Sequence, residues 1–299
     1  MVKLTNYENY FYQPPRWSGL EDVIRFPDGE VKQNSLPNST VWVFKAEDHT
    51  FHPEILGNDT GCGMTSFVVN DVDHQHAADT FYDFLKGKRI IGGGNHFIDI
   101  CAPIESVADI HLEPYKILLI HTHGQDKSTP TTIEEAQRKQ RKAESFRKEL
   151  GEELSALLKS PCQLLGDWTH NSVAIEDHKV IYRKGVVRAQ EDKIHFLPAH
   201  LGAKILLYTV NSHFHPPYFS MPHATGRRGP LGSTKVSPEE ADSLRQRVYI
   251  PSGISSYSLR SEHPSGYNGH QNIMRKLYQE NKFFIHLGET RILSYVGKV

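Results

Sequence analysis

The sequence predicts an α+β fold, with a β-rich core surrounded by helices. Short β-branched and apolar runs recur along the chain. Only one long stretch keeps a helical period. Glycines and prolines, 22 and 17 of them, punctuate the runs at short intervals. No repeat, low-complexity tract or linker divides the chain, so residues 1–299 are expected to form one domain.

Residues 1–36 read as irregular, because Pro14, Pro15 and Pro27 break any long element. Residues 40–44 and 66–69 are short β-type runs, the second directly after a glycine-rich turn. Residues 77–85 read as a helix with Phe81, Phe84 and Leu85 on one face. Residues 116–120 are continuously apolar, the mark of a strand buried on both faces. The clearest helix spans 131–159, where Ala143, Phe146, Leu150, Leu154, Leu157 and Leu158 keep the period between Pro130 and Pro161. Its basic residues Arg138, Lys139, Arg141, Lys142, Arg147 and Lys148 read as a solvated face, with RNA contact as the rival reading. Beyond it come strands at 180–182, 194–197 and 203–210, a helix at 238–248, a helix at 273–278 and a strand at 283–287.

Lys and Arg total 34 against 35 Asp and Glu, a formal charge of −1. That balance excludes a protein coated in nucleic acid and leaves room for a local basic groove. No stretch approaches the roughly 18 apolar residues of a membrane-spanning helix, and no signal peptide is visible in residues 1–11. Cys62, Cys101 and Cys162 are an odd number without CxxC spacing, so a reducing, cytoplasmic setting is expected.

The chemistry concentrates in five motifs and draws on 18 histidines. GNDTGCGM (57–64) sets Asp59 and Cys62 among three glycines, a turn able to aim a carboxylate and a thiolate at one point; the rival reading is a turn with a buried structural cysteine. GGGNHFID (92–99) follows a triple glycine with an amide, an imidazole and a carboxylate. His121 and His123 stand two apart at a strand end, where both could face a metal. His170 follows an apolar segment. His223 is followed by small residues and then Arg227 and Arg228, a pattern suited to attack on a phosphate.

Taken together, these residues resemble the RtcB family of RNA ligases. The motifs are GNDTGCGM (57–64), GGGNHFIDI (92–100), an apolar strand ending in His121, HNSVAIE (170–176), YRKGVVRA (182–189), LPAHLGAK (197–204), PHATGR (222–227) and EHPSGY (262–267). The resemblance implies an RtcB-type fold and a single RtcB-like catalytic domain. It implies a GTP- and Mn²⁺-dependent ligase that joins RNA 3′-phosphate or 2′,3′-cyclic phosphate ends to 5′-hydroxyl ends. By the same resemblance His223 is the guanylylated nucleophile. Asp59, Cys62, His96, His121 and His170 hold two Mn²⁺ ions, with Cys62 bridging. Asn95, Ala224, Thr225, Gly226, Arg227, Tyr267 and Lys298 contact the nucleotide. RNA is the implied partner, with an archease-type activator as a further one and no membrane.

The sequence also departs from the family pattern. Thr122-His123-Gly124-Gln125 replaces a phosphate-binding turn, Tyr182 stands where a histidine is usual, and Asn268 replaces a lysine. Pro27-Asp28-Gly29 is the one candidate for the family's MPDxH-type stretch. Two alternatives accordingly accompany the ligase reading: a 3′-phosphate guanylyltransferase that stops short of ligation, and a non-catalytic, metal-bound sensor of RNA ends.

Overall fold

Strand Lys116–Thr122 shows how the core is layered. Its side chains alternate between two apolar cores, Ile117 and Leu119 into one, Leu118 and Ile120 into the other. Both faces are covered, so the run is apolar throughout. This computed structural model describes residues 2–8, 12–27, 36–107, 115–229, 235–297 and 299.

The strand lies inside the largest of the three sheets among the described residues, the smallest being the pair Val186–Arg188 and Ser220–Pro222. Across that sheet the order is His195–Leu197, Lys204–Val210, Phe284–Gly297, Phe97–Cys101, Lys116–Thr122, Gly63–Val69 and Cys162–Thr169, each antiparallel to the next. One face packs on helices His74–Leu85 and Ile133–Leu157 through Ala77, Phe81, Leu85, Leu150 and Leu154. The other face shares a core with the second sheet, Lys3–Asn6, Leu20–Arg25, Thr40–Lys45, Lys179–Lys184 and Asn171–Glu176 in spatial order. In that second sheet Val41, Val43 and Ile181 point to the shared core, while Trp42, Phe44 and Tyr182 point to a third. The architecture is mixed α and β with a sheet-rich core.

The long helix begins where its chemistry directs. The Thr132 hydroxyl accepts from the Glu135 amide at 3.2 Å, and Glu134 and Glu135 lie at the positive end of the helix dipole. It spans Ile133–Leu157, two residues inside the expected bounds at each end.

Three expectations need correction. Residues 1–36 are not wholly irregular: Lys3–Asn6 pairs in parallel with Leu20–Arg25, which pairs with Thr40–Lys45. Long-range pairing there overrides the local proline signals. The helix expected at 238–248 ends at Asp242 and tightens into a 3₁₀ turn, Ser243–Gln246, while residues 274–280 form a wide π turn. The helix face at 138–148 is not uniformly solvated: Lys139 and Arg147 are buried, and each is ion-paired, to Asp126 and Asp167 respectively. Neither is free to meet RNA.

Candidate metal centre

Four adjacent strands of the larger sheet terminate on one side together: Phe97–Cys101, Lys116–Thr122, Gly63–Val69 and Cys162–Thr169. Antiparallel pairing sets the starts of two beside the ends of the others, with His121 opposite both Phe97 and Met64, and Gly63 opposite Thr169. Cys62, His96 and His170 are the residues immediately outside these ends, and His121 is next to last in its strand. Motifs separated by up to 108 positions in the chain (62 to 170) thus meet by register. A backbone bond from the His170 amide to the Cys62 carbonyl, 2.9 Å, ties two of them directly.

Cys62 Sγ lies 3.4 Å from His96 Nε2 and 3.5 Å from His121 Nε2. The ligand atoms of these three residues all lie within 4.8 Å of one another, a group that could hold a metal ion. The rings are oriented for it. His96 Nδ1 donates to the Gly93 carbonyl at 2.6 Å, and His121 Nδ1 donates to the Asn95 carbonyl at 3.0 Å. A carbonyl only accepts, so each Nδ1 carries the hydrogen and Nε2 is the ring nitrogen that faces the sulfur. Gly92 makes room for this arrangement, since a Cβ there would stand 2.0 Å from His123 Cδ2 and 2.9 Å from His96 Nδ1.

The local electrostatics fit a cation. Burial and the neighbouring Asp59 carboxylate push the Cys62 thiol well above its ordinary range, with Arg147 opposing them. A divalent ion would supply the positive charge that a thiolate needs there. Burial, then repulsion from neighbouring imidazoles, holds His121 and His170 well below the usual histidine range. Both are therefore neutral, the form that binds metal. Soft sulfur, borderline nitrogen and a nearby carboxylate form a donor set acceptable to manganese and to zinc.

Asp59 and His170 adjoin this group without joining it. Asp59 Oδ1 accepts from the Gly124 amide at 3.1 Å. The His170 ring lies 5.1 Å from that of His121, and its buried Nδ1 has no protein partner. His123 stands outside the ligand group, with its ring 5.7 Å from that of His96: the strand stops at Thr122, and His123 Nδ1 donates to the Gly124 carbonyl.

A cleft of about 460 Å³ opens over the group, and most of the sequence-predicted residues line it: Asp59, Cys62, Asn95, His96, His121, His170, His223, Ala224, Gly226, Arg227 and Tyr267. The His223 ring stacks on His170 with centroids 4.1 Å apart. Its Nδ1 donates to the Gly185 carbonyl at 2.8 Å, which leaves Nε2 with a lone pair. Desolvation lowers its pKa, although part of the residue stays open to the cleft. Thr225 plays another part: it is buried, and its hydroxyl donates to the Asn268 carbonyl at 2.7 Å, pinning the loop. Lys298 and the stretch Asp28-Gly29 lie outside the described residues.

In the same cleft, Arg227 Nη2 donates to Tyr267 Oη at 2.6 Å and to Asn95 Oδ1, and Tyr267 donates onward to Glu262 Oε2 at 2.9 Å. A smaller cavity adjoins the cleft, sharing Asn95, His121, His223 and Tyr267 with it, and is lined by Asp99, Glu262 and Tyr295 as well. Asp99 Oδ1 and Tyr295 Oη are buried there without protein partners. Burial, then the Glu262 charge, raises the Asp99 carboxyl well above its ordinary range. Sequence reasoning assigned none of these three residues. The available signal was Asp99 itself, a carboxylate within an otherwise apolar strand. Compared with known proteins, the chain matches no protein-family model and no curated protein.

Proposed function

We propose that the chain is a GTP- and Mn²⁺-dependent RNA ligase of RtcB type, with the corresponding fold, that joins RNA 3′-phosphate or 2′,3′-cyclic phosphate ends to 5′-hydroxyl ends. One observation carries the reading. His223 Nε2 has its lone pair unengaged by the Nδ1 hydrogen bond, on a ring stacked at 4.1 Å upon His170, in the cleft that also holds Cys62, His96 and His121. A neutral, oriented imidazole beside a donor set for divalent metal suits nucleophilic attack on a phosphate.

In this reading Cys62, His96 and His121 hold metal, with Asp59 and His170 as the adjoining donors. Bound manganese supplies charge neutralisation and alignment of the triphosphate. His223 Nε2 forms an N–P bond to the α-phosphate of GTP as the bond to pyrophosphate breaks. The Gly185 carbonyl, holding Nδ1–H, stabilises the positive charge that develops on the ring. The RNA 3′-phosphate, to which water first opens a 2′,3′-cyclic end with release of the 2′-hydroxyl, then takes the GMP and returns His223 to its neutral form. The 5′-hydroxyl attacks that activated phosphate and GMP leaves. Asp99 lines the adjoining cavity with an unpartnered acceptor, which suits the N–H edge of a purine.

A second reading is favoured by the turn at 122–125. Its Gly124 amide donates to Asp59, and Gln125 Nε2 donates to the His123 carbonyl at 3.3 Å. These groups are engaged within the protein rather than presented to an RNA phosphate, which favours an enzyme that caps 3′-phosphate ends and stops there.

The test is incubation with labelled GTP and Mn²⁺ followed by denaturing electrophoresis. A covalent GMP that survives alkali and is lost in acid is expected, because protonation makes the phosphoramidate nitrogen a good leaving group. His223→Ala should retain metal and form no adduct. An adduct persisting in that variant would refute the histidine mechanism. Sealing of a nicked RNA with 3′-phosphate and 5′-hydroxyl ends separates ligation from capping.

A further inference from the structure

We propose that Arg147, which offers no metal-ligating atom, is a positioning residue that fastens the Cys62 loop in its metal-binding geometry. The inference rests on the reading of Cys62 as a metal-bound thiolate and does not depend on RNA ligation.

The guanidinium is fully buried and its donors are placed around one point. Nε and Nη2 form a two-pronged pair with Asp167, at 2.6 Å to Oδ2 and 2.7 Å to Oδ1. Nη2 also donates to Thr169 Oγ1 at 2.9 Å, and Nε to Thr65 Oγ1 at 3.2 Å. These bonds clamp the head group to the two strands that end beside the site. The remaining nitrogen, Nη1, donates at 2.7 Å to the Gly61 carbonyl, which belongs to the peptide bond joining Gly61 to Cys62. This charge-assisted bond is among the stronger kinds a loop can receive.

Sterics agree. A Cβ on Gly63 would lie 2.8 Å from Arg147 Cζ and Nη2, so the backbone rests directly on the guanidinium. A Cβ on Gly61 would lie 2.9 Å from Ala143 Cβ and 3.2 Å from the Lys139 carbonyl. Lys139, Ala143 and Arg147 are spaced by four on the long helix and share one face, so the whole turn is seated on that face. Losing such a support typically weakens a metal site by about 10–100-fold.

The experiment is a Co²⁺ titration read through the near-ultraviolet thiolate-to-cobalt charge-transfer band, with far-ultraviolet circular dichroism and thermal melting run alongside. Removing Arg147 alone would strand the Asp167 charge in the interior and endanger folding. The main variant is therefore Arg147→Met with Asp167→Asn, which removes both charges and keeps an amide that can accept from one of the Thr65 and Thr169 hydroxyls and donate to the other. It is expected to fold, to bind Co²⁺ at least about tenfold more weakly, and to show a diminished band at saturation. Cys62→Ala should abolish the band. Should the double variant fail to fold, Arg147→Lys decides. Lysine cannot reach Asp167 and Gly61 together, so a folded Lys variant with reduced affinity supports the proposal. Wild-type affinity and band in either folded variant would overturn it. Absence of the band in the wild-type protein would sink the metal reading of Cys62 and this inference with it, whereas failed RNA sealing with an intact band would leave the inference standing.

Discussion

Cys62, His96, His121 and His170 sit at the ends of four hydrogen-bonded strands, whereas Arg227, Glu262 and Tyr267 sit on segments with little regular structure. On the metal side, strand register fixes where each group lies, and backbone carbonyls of Gly93 and Asn95 fix how two rings face. No side-chain substitution removes a carbonyl. On the Arg227 side of the cleft, position comes from side chains holding one another: the Asn95 amide to Arg227, Arg227 to Tyr267, Tyr267 to Glu262. Each link there can be deleted singly. The metal side is preorganised for its ligand, whereas the Arg227 side is tied side chain to side chain and keeps Arg227 Nε buried without a protein partner.

The largest effect expected from this contrast is at Cys62. Cys62→Ala should lower metal affinity by more than about 100-fold, beyond the range reached by losing a supporting hydrogen bond, with the fold intact because register and carbonyls remain. Cys101 is buried in the apolar core, and neither it nor Cys162 belongs to the ligand group, so Cys101→Ala and Cys162→Ala should keep their metal. Metal content after gel filtration is the check. Equal content in all three variants would remove the distinction between the walls.

A second prediction concerns Tyr267, whose hydroxyl joins a buried carboxylate to a guanidinium. Tyr267→Phe deletes two hydrogen bonds to charged groups, each worth about 1.5–3 kcal/mol. GTP affinity should fall by about tenfold or more while metal content stays at the wild-type level. Calorimetric titration with GTP, paired with metal analysis, reads both. Loss of metal in this variant would mean that the two walls are mechanically one.

The same division governs what the sequence disclosed. Strands such as Lys116–Thr122 and the helix Ile133–Leu157 were legible, since burial on both faces and a 3.6-residue period leave direct marks. The metal group was legible in its residue types, because Cys62, His96 and His121 stand in unusual glycine-rich or strand-end contexts. Which strands would be neighbours was not, since register between residues 62, 96, 121 and 170 depends on long-range pairing. Arg147 read as one more charge on a basic face. Its burial follows from Asp167, 20 residues away on a strand that the sequence did not announce. Glu262 looked like part of a loop motif and became a site residue only through its contact with Tyr267.

Asp99 offers the smallest and sharpest test, because it belongs to a strand of the metal wall yet lines the cavity of the other. Its carboxyl is held well above the ordinary range by burial and by Glu262. In the unfolded chain the proton leaves above about pH 4. The native protein keeps it to higher pH, so over that window the unfolded state binds fewer protons and native stability declines as pH rises. Asparagine has the same shape and no proton to lose. Asp99→Asn should therefore raise the melting temperature of the ligand-free protein at pH 7, by about 2–4 °C for each kcal/mol of relief. The gain should shrink toward pH 4 and vanish below it, where the wild-type carboxyl is protonated in both states. GTP affinity should fall in the same variant, since the amide cannot give up a proton to become a charged acceptor for the ligand. A gain of equal size at every pH would assign the effect to packing instead of proton linkage. A variant that melts lower at pH 7 would show that Asp99 is already satisfied by the fold, as the groups of the metal wall are by their carbonyls.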